Sequence, residues 1–273
     1  MSVSKRNPSV HAGSIKLSVV IPAHNEEACI VETVQRLLEV LRRERIPHEV
    51  IVVDDGSTDS TAVRIAPLVD NESLVLAANA GRHGFGMAVR AGLEQSTGGA
   101  IAVMMADASD DPEDLVRYYR KLEEGYECVF GSRFVRGGKV VDYPIHKLAI
   151  NRLANLFIRL LFGLSCNDIT NAFKCYRREV VDAMAPLISP HFNLTVEMPL
   201  KAIIRGFSYA VIPIAWTNRK TGISKLKLSE MGSRYLFIVL YLWLEKSLSR
   251  GDYHRRHLAA APETERKVHS PNV

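Results

Sequence analysis

The chain has 273 residues, of which 47% are hydrophobic, 24% charged and 7% aromatic, with a mean hydropathy near zero. That balance excludes a wholly disordered chain, a collagen-like fibre and a multi-span membrane protein, and at this length one large α/β domain with appendages is expected. Lys and Arg outnumber Asp and Glu by 35 to 30, giving a net charge of +5 and a pI near 9.0. Such mild basicity suits phosphorylated ligands or an anionic membrane surface and singles out neither.

The first expected element is a buried strand over Leu17–Ile21, a β-branched run stopped by Pro22. After the polar turn Ala23-His-Asn-Glu-Glu27, the apolar residues Ile30, Val34, Leu37, Leu38 and Leu41 recur at helical spacing. Strands follow at Val50–Val53, running into Asp54-Asp-Gly-Ser-Thr-Asp59, and at Leu74–Leu76, before the glycine-rich Gly81-Arg-His-Gly-Phe-Gly86. A fourth, Ala100–Met105, leads to Asp107. This alternation implies a parallel sheet of βαβ units, in which ligands lie beyond the carboxyl ends of the strands. Three such ends carry acidic or amide groups: Asn25 and Glu26, Asp54 and Asp55, and Asp107. Burial alone gives no reason for that placement, so a ligand site is expected along this edge.

Beyond Pro112 a helix over Glu113–Glu123 and a strand near Cys128–Phe130 lead into Gly131-Ser-Arg133. A helix over Lys147–Phe162 has a wide apolar face of Leu153, Leu156, Phe157, Leu160 and Leu161. Opposite it runs the polar stripe Lys147, Asn151, Asn155 and Arg159; packing on the sheet and lying at a lipid interface both fit. Tyr235–Leu244 is uninterrupted and apolar but too short for the roughly 20 residues of a membrane span. A buried helix, an interfacial helix and a subunit contact all fit it, and its aromatic residues with the flanking Arg234 and Lys246 favour the membrane interface. The expected organisation is a flexible leader over 1–16, a main domain over 17–228, an apolar interfacial helix over 229–249 and a disordered basic tail over 250–273. The leader has no apolar signal core. Cys29, Cys128, Cys166 and Cys175 form no C-x-x-C pair, which points to thiols in a reducing compartment, with neither a zinc site nor a disulfide framework.

Val19-Val-Ile-Pro-Ala-His-Asn-Glu-Glu27, Val53-Asp-Asp-Gly-Ser-Thr-Asp59 and Gly131-Ser-Arg133 resemble the family-2 glycosyltransferases of GT-A fold. Asp168-Ile-Thr-Asn-Ala-Phe-Lys-Cys-Tyr176 and Arg219-Lys-Thr-Gly-Ile-Ser-Lys225 bring the polyprenyl-phosphate glycosyltransferases, the group of dolichol-phosphate mannosyltransferase, nearest. The resemblance covers roughly Leu17–Leu228. It implies a Rossmann-like, mostly parallel sheet flanked by helices, with helices at the membrane interface near the C-terminus. It also implies a nucleotide-sugar donor held by Pro22, His24, Glu26, Val53 and Asp55, together with Ala106, Asp107 and Ser109. Asp54 and Asp59 fit turn and helix-capping work as well as ligand binding. The glycine-rich loop lacks the Lys-Ser/Thr of a nucleotide-triphosphate loop, and His83 reads as a loop residue.

Relatives place an Asp-x-Asp at the end of the fourth strand to hold Mg²⁺ or Mn²⁺ against the donor diphosphate. Here the triplet is Met105-Ala106-Asp107, without the first aspartate, and Ser109 stands where relatives often carry an amide. One carboxylate suffices for Mg²⁺ when phosphates and water complete the shell, so Asp107 is the metal candidate. Asp110 and Asp111, before Pro112, are expected to cap the next helix. Arg133, Lys174, Arg219 and Lys225 match the family's cationic positions. Lys174, Arg219 and Lys225 are assigned to the donor, Arg133, Arg219 and Lys225 to catalysis with Asp107, and Arg133, Lys147, Asn151 and Arg152 to the acceptor phosphate.

The implied reaction is an inverting transfer of a sugar, mannose favoured, from GDP-mannose or UDP-glucose to a polyprenyl phosphate. Its setting would be the cytoplasmic face of a membrane, with peripheral attachment and a membrane-embedded partner subunit as an option. Two other readings stay open: a sugar-hydroxyl acceptor, and a nucleotide-sugar-binding protein without turnover, the latter motivated by Met105. No basic stripe interleaved with aromatics suggests nucleic acid.

Overall fold

The structure is a computed structural model and describes residues 14–70, 72–218 and 228–255, with the side chains of 228–231 left aside. In chain order the elements are β1 (Leu17–Ala23), α1 (Ile30–Arg43), β2 (His48–Asp54), α2 (Thr61–Ile65), β3 (Leu74–Ala78), α3 (Phe85–Gln95), β4 (Ala100–Val103) and α4 (Pro112–Glu123). Then come β5 (Cys128–Ser132), β6 (Lys139–Val141), α5 (Ile145–Phe162), β7 (Lys174–Arg177), α6 (Arg178–Ala183), α7 (Leu194–Ile204), β8 (Tyr209–Pro213), β9 (Ala215–Thr217) and α8 (Leu228–Leu248).

Seven strands form one sheet in the order β3-β2-β1-β4-β7-β5-β8, and β6 and β9 pair beside it. The sheet is parallel except at β7, which runs antiparallel between β4 and β5. It is the expected α/β architecture. Period-2 alternation divides the core between the two faces of the sheet: Leu17, Val19 and Ile21 of β1 pack with α1 and α4, while Val20 packs with α3.

Four boundaries differ from expectation. Pro22 does not stop β1, which pairs with β2 through Pro22 and Ala23. The side on which Pro22 lacks an N–H faces β4, and that ladder has already ended at Val103. For the same reason β4 is shorter than Ala100–Met105, with Met104 donating its N–H to Val20 O at 3.1 Å as the chain leaves the sheet. The helix expected from Lys147 begins at Ile145. The chain does not lose structure at Arg250: Arg255 donates its N–H to Arg205 O at 3.0 Å and its guanidinium reaches Glu127. Of the expected leader over 1–16, residues 1–13 lie outside the described residues, as does the tail beyond 255, while Ile15 and Lys16 are tied to the domain through Tyr119 and Glu49.

The sheet hands its chemistry to one edge because β1, β2 and β4 are neighbours and parallel, so their carboxyl ends and loops gather there.

Candidate active site

Two loops at that edge are sewn together by their polar side chains. The N–H groups of Asn25, Glu26 and Glu27 donate to Ser57 Oγ (3.0 Å), Thr61 Oγ1 (2.8 Å) and Asp59 Oδ2 (3.2 Å). Asn25 returns the contact by accepting from the Thr58 N–H at 2.7 Å. Asp59 Oδ1 also accepts from the Thr61 N–H at 2.9 Å, and Asp54 Oδ1 from the Ser57 N–H at 3.2 Å. Asp54 and Asp59 therefore do turn and capping work. His24 Nδ1 lies 2.9 Å from Asp55 O.

The Asp55 carboxylate is buried and already engaged. It accepts from Asn79 Nδ2 (2.6 Å) and the Gly84 N–H (2.8 Å), and lies 3.1 Å from His83 Nδ1. Its charge therefore stands at the N-terminus of α3 and sets the glycine-rich loop. That loop needs its glycines: a Cβ on Gly86 would run into the Ser189 carbonyl oxygen. Val53 and Pro22 are buried strand residues; the Val53 side chain belongs to the core and leaves only its backbone for a ligand.

Beyond β4 a pocket of about 550 Å³ opens between this edge, α5 and α8. Its polar wall includes Asp107, Ser109, Asp110, Arg133, Lys147 and Asn151; its apolar wall includes Ile150, Ala154, Phe157, Leu236 and Val239. Arg133 is anchored by a bidentate pair with Asp168, Nε to Oδ2 at 2.8 Å and Nη2 to Oδ1 at 2.7 Å. Burial opposes the guanidinium charge, but Asp168 more than offsets it and the Arg133 pKa is raised. Arg133 also lies over the Phe134 ring at 5.1 Å and the Trp216 ring at 5.9 Å. Asn151 and Asn155 both donate to Thr170 Oγ1, at 3.0 and 2.9 Å, which ties α5 to the pocket floor.

Several expected site residues lie elsewhere. Lys174 is fully buried away from the pocket, donating to Ile169 O (2.9 Å) and Thr195 O (3.2 Å). Burial pushes its ammonium pKa down to about 7, and its two contacts make it a strut between backbone carbonyls, off the pocket wall. Arg152 does not line the pocket; it stacks on the Phe134 ring at 4.8 Å from its outer side. Ala106 is buried, and its carbonyl accepts from Thr33 Oγ1 at 3.1 Å. Asp111 caps α4 as expected, accepting from the Glu113 N–H, but Asp110 does not. Asp110 Oδ2 instead accepts from the Met105 N–H at 3.0 Å, and burial pushes its carboxyl up to about 7 against that hydrogen bond, with the Asp107 charge adding to the rise. Arg219 and Lys225 lie outside the described residues.

Reasoning from sequence missed the partners that hold these groups. Asp168 and Asn171 sit inside the Asp168–Tyr176 motif, which was the available signal. Tyr143 and Trp216 also line the pocket and carried no motif at all. The carboxylates of Asp107 and Asp110 on one wall offer oxygen donors alone, the donor type that suits Mg²⁺ or Mn²⁺, although no group of three ligating side chains exists among the described residues.

A mostly parallel sheet flanked by helices, with a pocket beside the carboxyl ends of its strands, is the GT-A architecture. The chain belongs to the glycosyltransferases through Glycosyl transferase family 2, whose profile matches residues 18–184. It is 31% identical over 215 residues to "Polyprenol monophosphomannose synthase" of Mycolicibacterium smegmatis, covering 76% of this chain and 80% of the relative. It is 30% identical over 266 residues to the uncharacterized glycosyltransferase YkcC of Bacillus subtilis, covering 84% of this chain and 78% of the relative. Among solved structures, glucosyl-3-phosphoglycerate synthase from Mycobacterium tuberculosis, in complex with Mn²⁺, UDP and phosphoglyceric acid, superposes with a TM-score of 0.64 at 21% identity, covering 85% of this chain and 78% of that one. The same enzyme with Mg²⁺ and UDP gives a TM-score of 0.62 at 20% identity, covering 85% and 79%.

Proposed function

We propose that the chain moves a sugar, mannose favoured, from a nucleotide sugar to a polyprenyl phosphate at the cytoplasmic face of a membrane. The observation that carries this reading is the inverted character of α5. The middle of its polar stripe turns inward, with Asn155 only 2% exposed and Asn151 on the pocket wall, while Leu153 (68%), Leu160 (74%) and Ile145 (84%) face outward together with Arg159. A water-facing helix has the opposite arrangement. α8 adds Phe237, Leu240 and Leu244 to the exposed apolar surface, and Leu236 to the pocket wall. A pocket with charged groups on one side and an apolar wall running to such a surface fits a phosphate head with a hydrocarbon tail. The relative named as a polyprenol monophosphomannose synthase supports the same acceptor. No described helix is long and apolar enough to cross a membrane, which agrees with peripheral attachment, with or without a membrane-embedded partner subunit.

A phosphate monoester has a second pKa near 6 and is ionised at pH 7, so its oxygen attacks the anomeric carbon without a protein base. The residues then have two tasks, positioning and charge stabilisation. Arg133, fixed by Asp168, presents a rigid cation to the acceptor phosphate, and Lys147 and Asn151 stand on the same wall. The edge formed by His24, Glu26 and Asp55 receives the nucleotide. Asp107 would hold Mg²⁺ or Mn²⁺, which when bound supplies charge against the departing nucleoside diphosphate. In-line displacement on one face of the sugar gives inversion.

The test offers labelled GDP-mannose, UDP-glucose and UDP-GlcNAc separately, with polyprenyl phosphate in detergent and Mg²⁺ or Mn²⁺. Label entering the organic phase from GDP-mannose, in a β-linked product, is expected. Transfer to a sugar hydroxyl with none to the lipid would overturn the acceptor.

A further inference from the structure

Phe192 lines the pocket beyond β4, but its neighbours His191 and Asn193 line a second cavity, of about 370 Å³. Arg82 reaches that cavity from the glycine-rich loop, Arg234 and Phe237 from α8, and Ser189 from the segment before α7. No carboxylate lines it among the described residues. The backbone of the wall around Ser189 is tied down. Glu197 accepts from the N–H groups of Ile188 (2.8 Å) and Ser189 (2.7 Å), Arg90 donates to Leu187 O at 2.7 Å, and Pro190 O accepts from the Gly86 N–H at 3.1 Å.

Two polar side chains of this rigid wall are left over. Ser189 is 1% and Asn193 4% exposed, yet Ser189 Oγ and Asn193 Oδ1 have no hydrogen-bond partner among the described residues. Asn193 stands at the N-cap of α7 and makes no capping hydrogen bond. Buried polar groups are normally paired, so two orphans on one cavity wall call for a ligand that completes them. The cations set its charge: Arg82 is exposed and its guanidinium enters no ion pair among the described residues, and Arg234 lines the same space. Guanidinium groups hold phosphate oxygens, the Ser189 hydroxyl can donate to another, and Asn193 Oδ1 can accept from a ligand hydroxyl. We infer that this cavity binds a phosphate ester that carries a free hydroxyl, separately from both substrates. Two sources share that chemistry: the glycerophosphate headgroup of an anionic lipid, reached past the exposed Phe237, and a soluble phosphate ester. Only the lipid source rests on the proposed membrane placement; the anion site does not.

The experiment measures glycerol 3-phosphate binding to the full chain by calorimetry with GDP present, and flotation with phosphatidylcholine vesicles with or without phosphatidylglycerol. Ser189→Ala/Asn193→Leu keeps every charge, and Arg82→Gln removes an exposed one. Each is expected to weaken glycerol 3-phosphate about 10-fold, while Arg64→Gln, on α2 and outside the cavity, leaves it unchanged. The double variant removes two unpaired buried groups, so its urea midpoint without ligand is expected to be no lower than that of wild type; if it falls, Ser189→Ala alone takes its place. A folded, charge-preserving variant that binds glycerol 3-phosphate as wild type does overturns the site, as does binding lost only in Lys147→Gln, which puts the anion in the other pocket. A wild type that binds no glycerol 3-phosphate and floats equally with both vesicles overturns it too. Weaker flotation of the variants with phosphatidylglycerol assigns the lipid headgroup; unchanged flotation with soluble binding lost assigns the free ester. Neither result depends on sugar transfer, so an enzyme that ignores polyprenyl phosphate removes the acceptor and leaves this site standing.

Discussion

The loops at the ends of β1 and β2 and the surface made by α5 and α8 use their side chains in opposite ways. In the loops, polar groups are spent on the backbone: Asp54, Asp55 and Asp59 all hold N–H groups, and the loops are held rigid by them. On α5, Asn151 and Asn155 turn inward while Leu153 and Leu160 are exposed. The first region is held by its own hydrogen bonds, and under the proposed function it receives a nucleotide. The second leaves Leu153 and Leu160 exposed, and under the same proposal a membrane covers them, which is why the two should respond differently to substitution.

The largest effect is expected where the two regions meet. Asp168→Asn leaves the buried Arg133 without its counter-charge and should destabilise the fold by about 3 kcal/mol, read as a lower urea midpoint, with sugar transfer abolished. Within the loop region, Gly86→Ala drives a methyl into the Ser189 carbonyl and should cost about 2 kcal/mol by the same measurement. An unchanged midpoint would mean that this loop is less rigid than its hydrogen bonds imply. On the helical surface, Leu153→Glu with Leu160→Glu should change stability by less than about 0.5 kcal/mol yet weaken flotation with anionic liposomes about 10-fold. Equal loss of stability and membrane binding would erase the contrast between the regions.

A further effect is a pH dependence. Burial holds the Lys174 pKa at about 7, below its unfolded value, so above pH 7 the folded protein has released a proton that the unfolded chain keeps. Its contribution to stability therefore rises with pH from about 7 towards the unfolded lysine pKa. Urea midpoints at pH 7 and pH 9 should show that rise in wild type and a flatter profile in Lys174→Met.

Much of the nucleotide edge was legible because its signals are local. β-branched runs end in short polar residues, and capping sequences such as Asp-Gly-Ser-Thr-Asp announce a strand-to-helix turn within a few positions. The apolar pattern of α1 predicted its buried face residue by residue, from Ile30 to Leu41. Pro22 and Asp110 show the limit of such signals. Whether a proline ends a strand depends on which neighbour its missing N–H would have faced, and whether an aspartate before a helix caps it depends on which backbone N–H groups compete for its oxygens.

The sequence by itself determined the α/β class, the parallel strands, the family and the gathering of acidic and amide residues at the carboxyl ends of the strands, because periodicity and short motifs act over a few residues. Only the tertiary structure decided that Lys174 is a buried strut, that Asp110 leaves its cap to lie beside Asp107, that Asp168 clamps Arg133, and that the apolar face of α5 looks outward. Each of these depends on groups distant in sequence competing for one buried space. Burial and pairing energies, summed over such neighbours, settle which charge is retained and which face is covered.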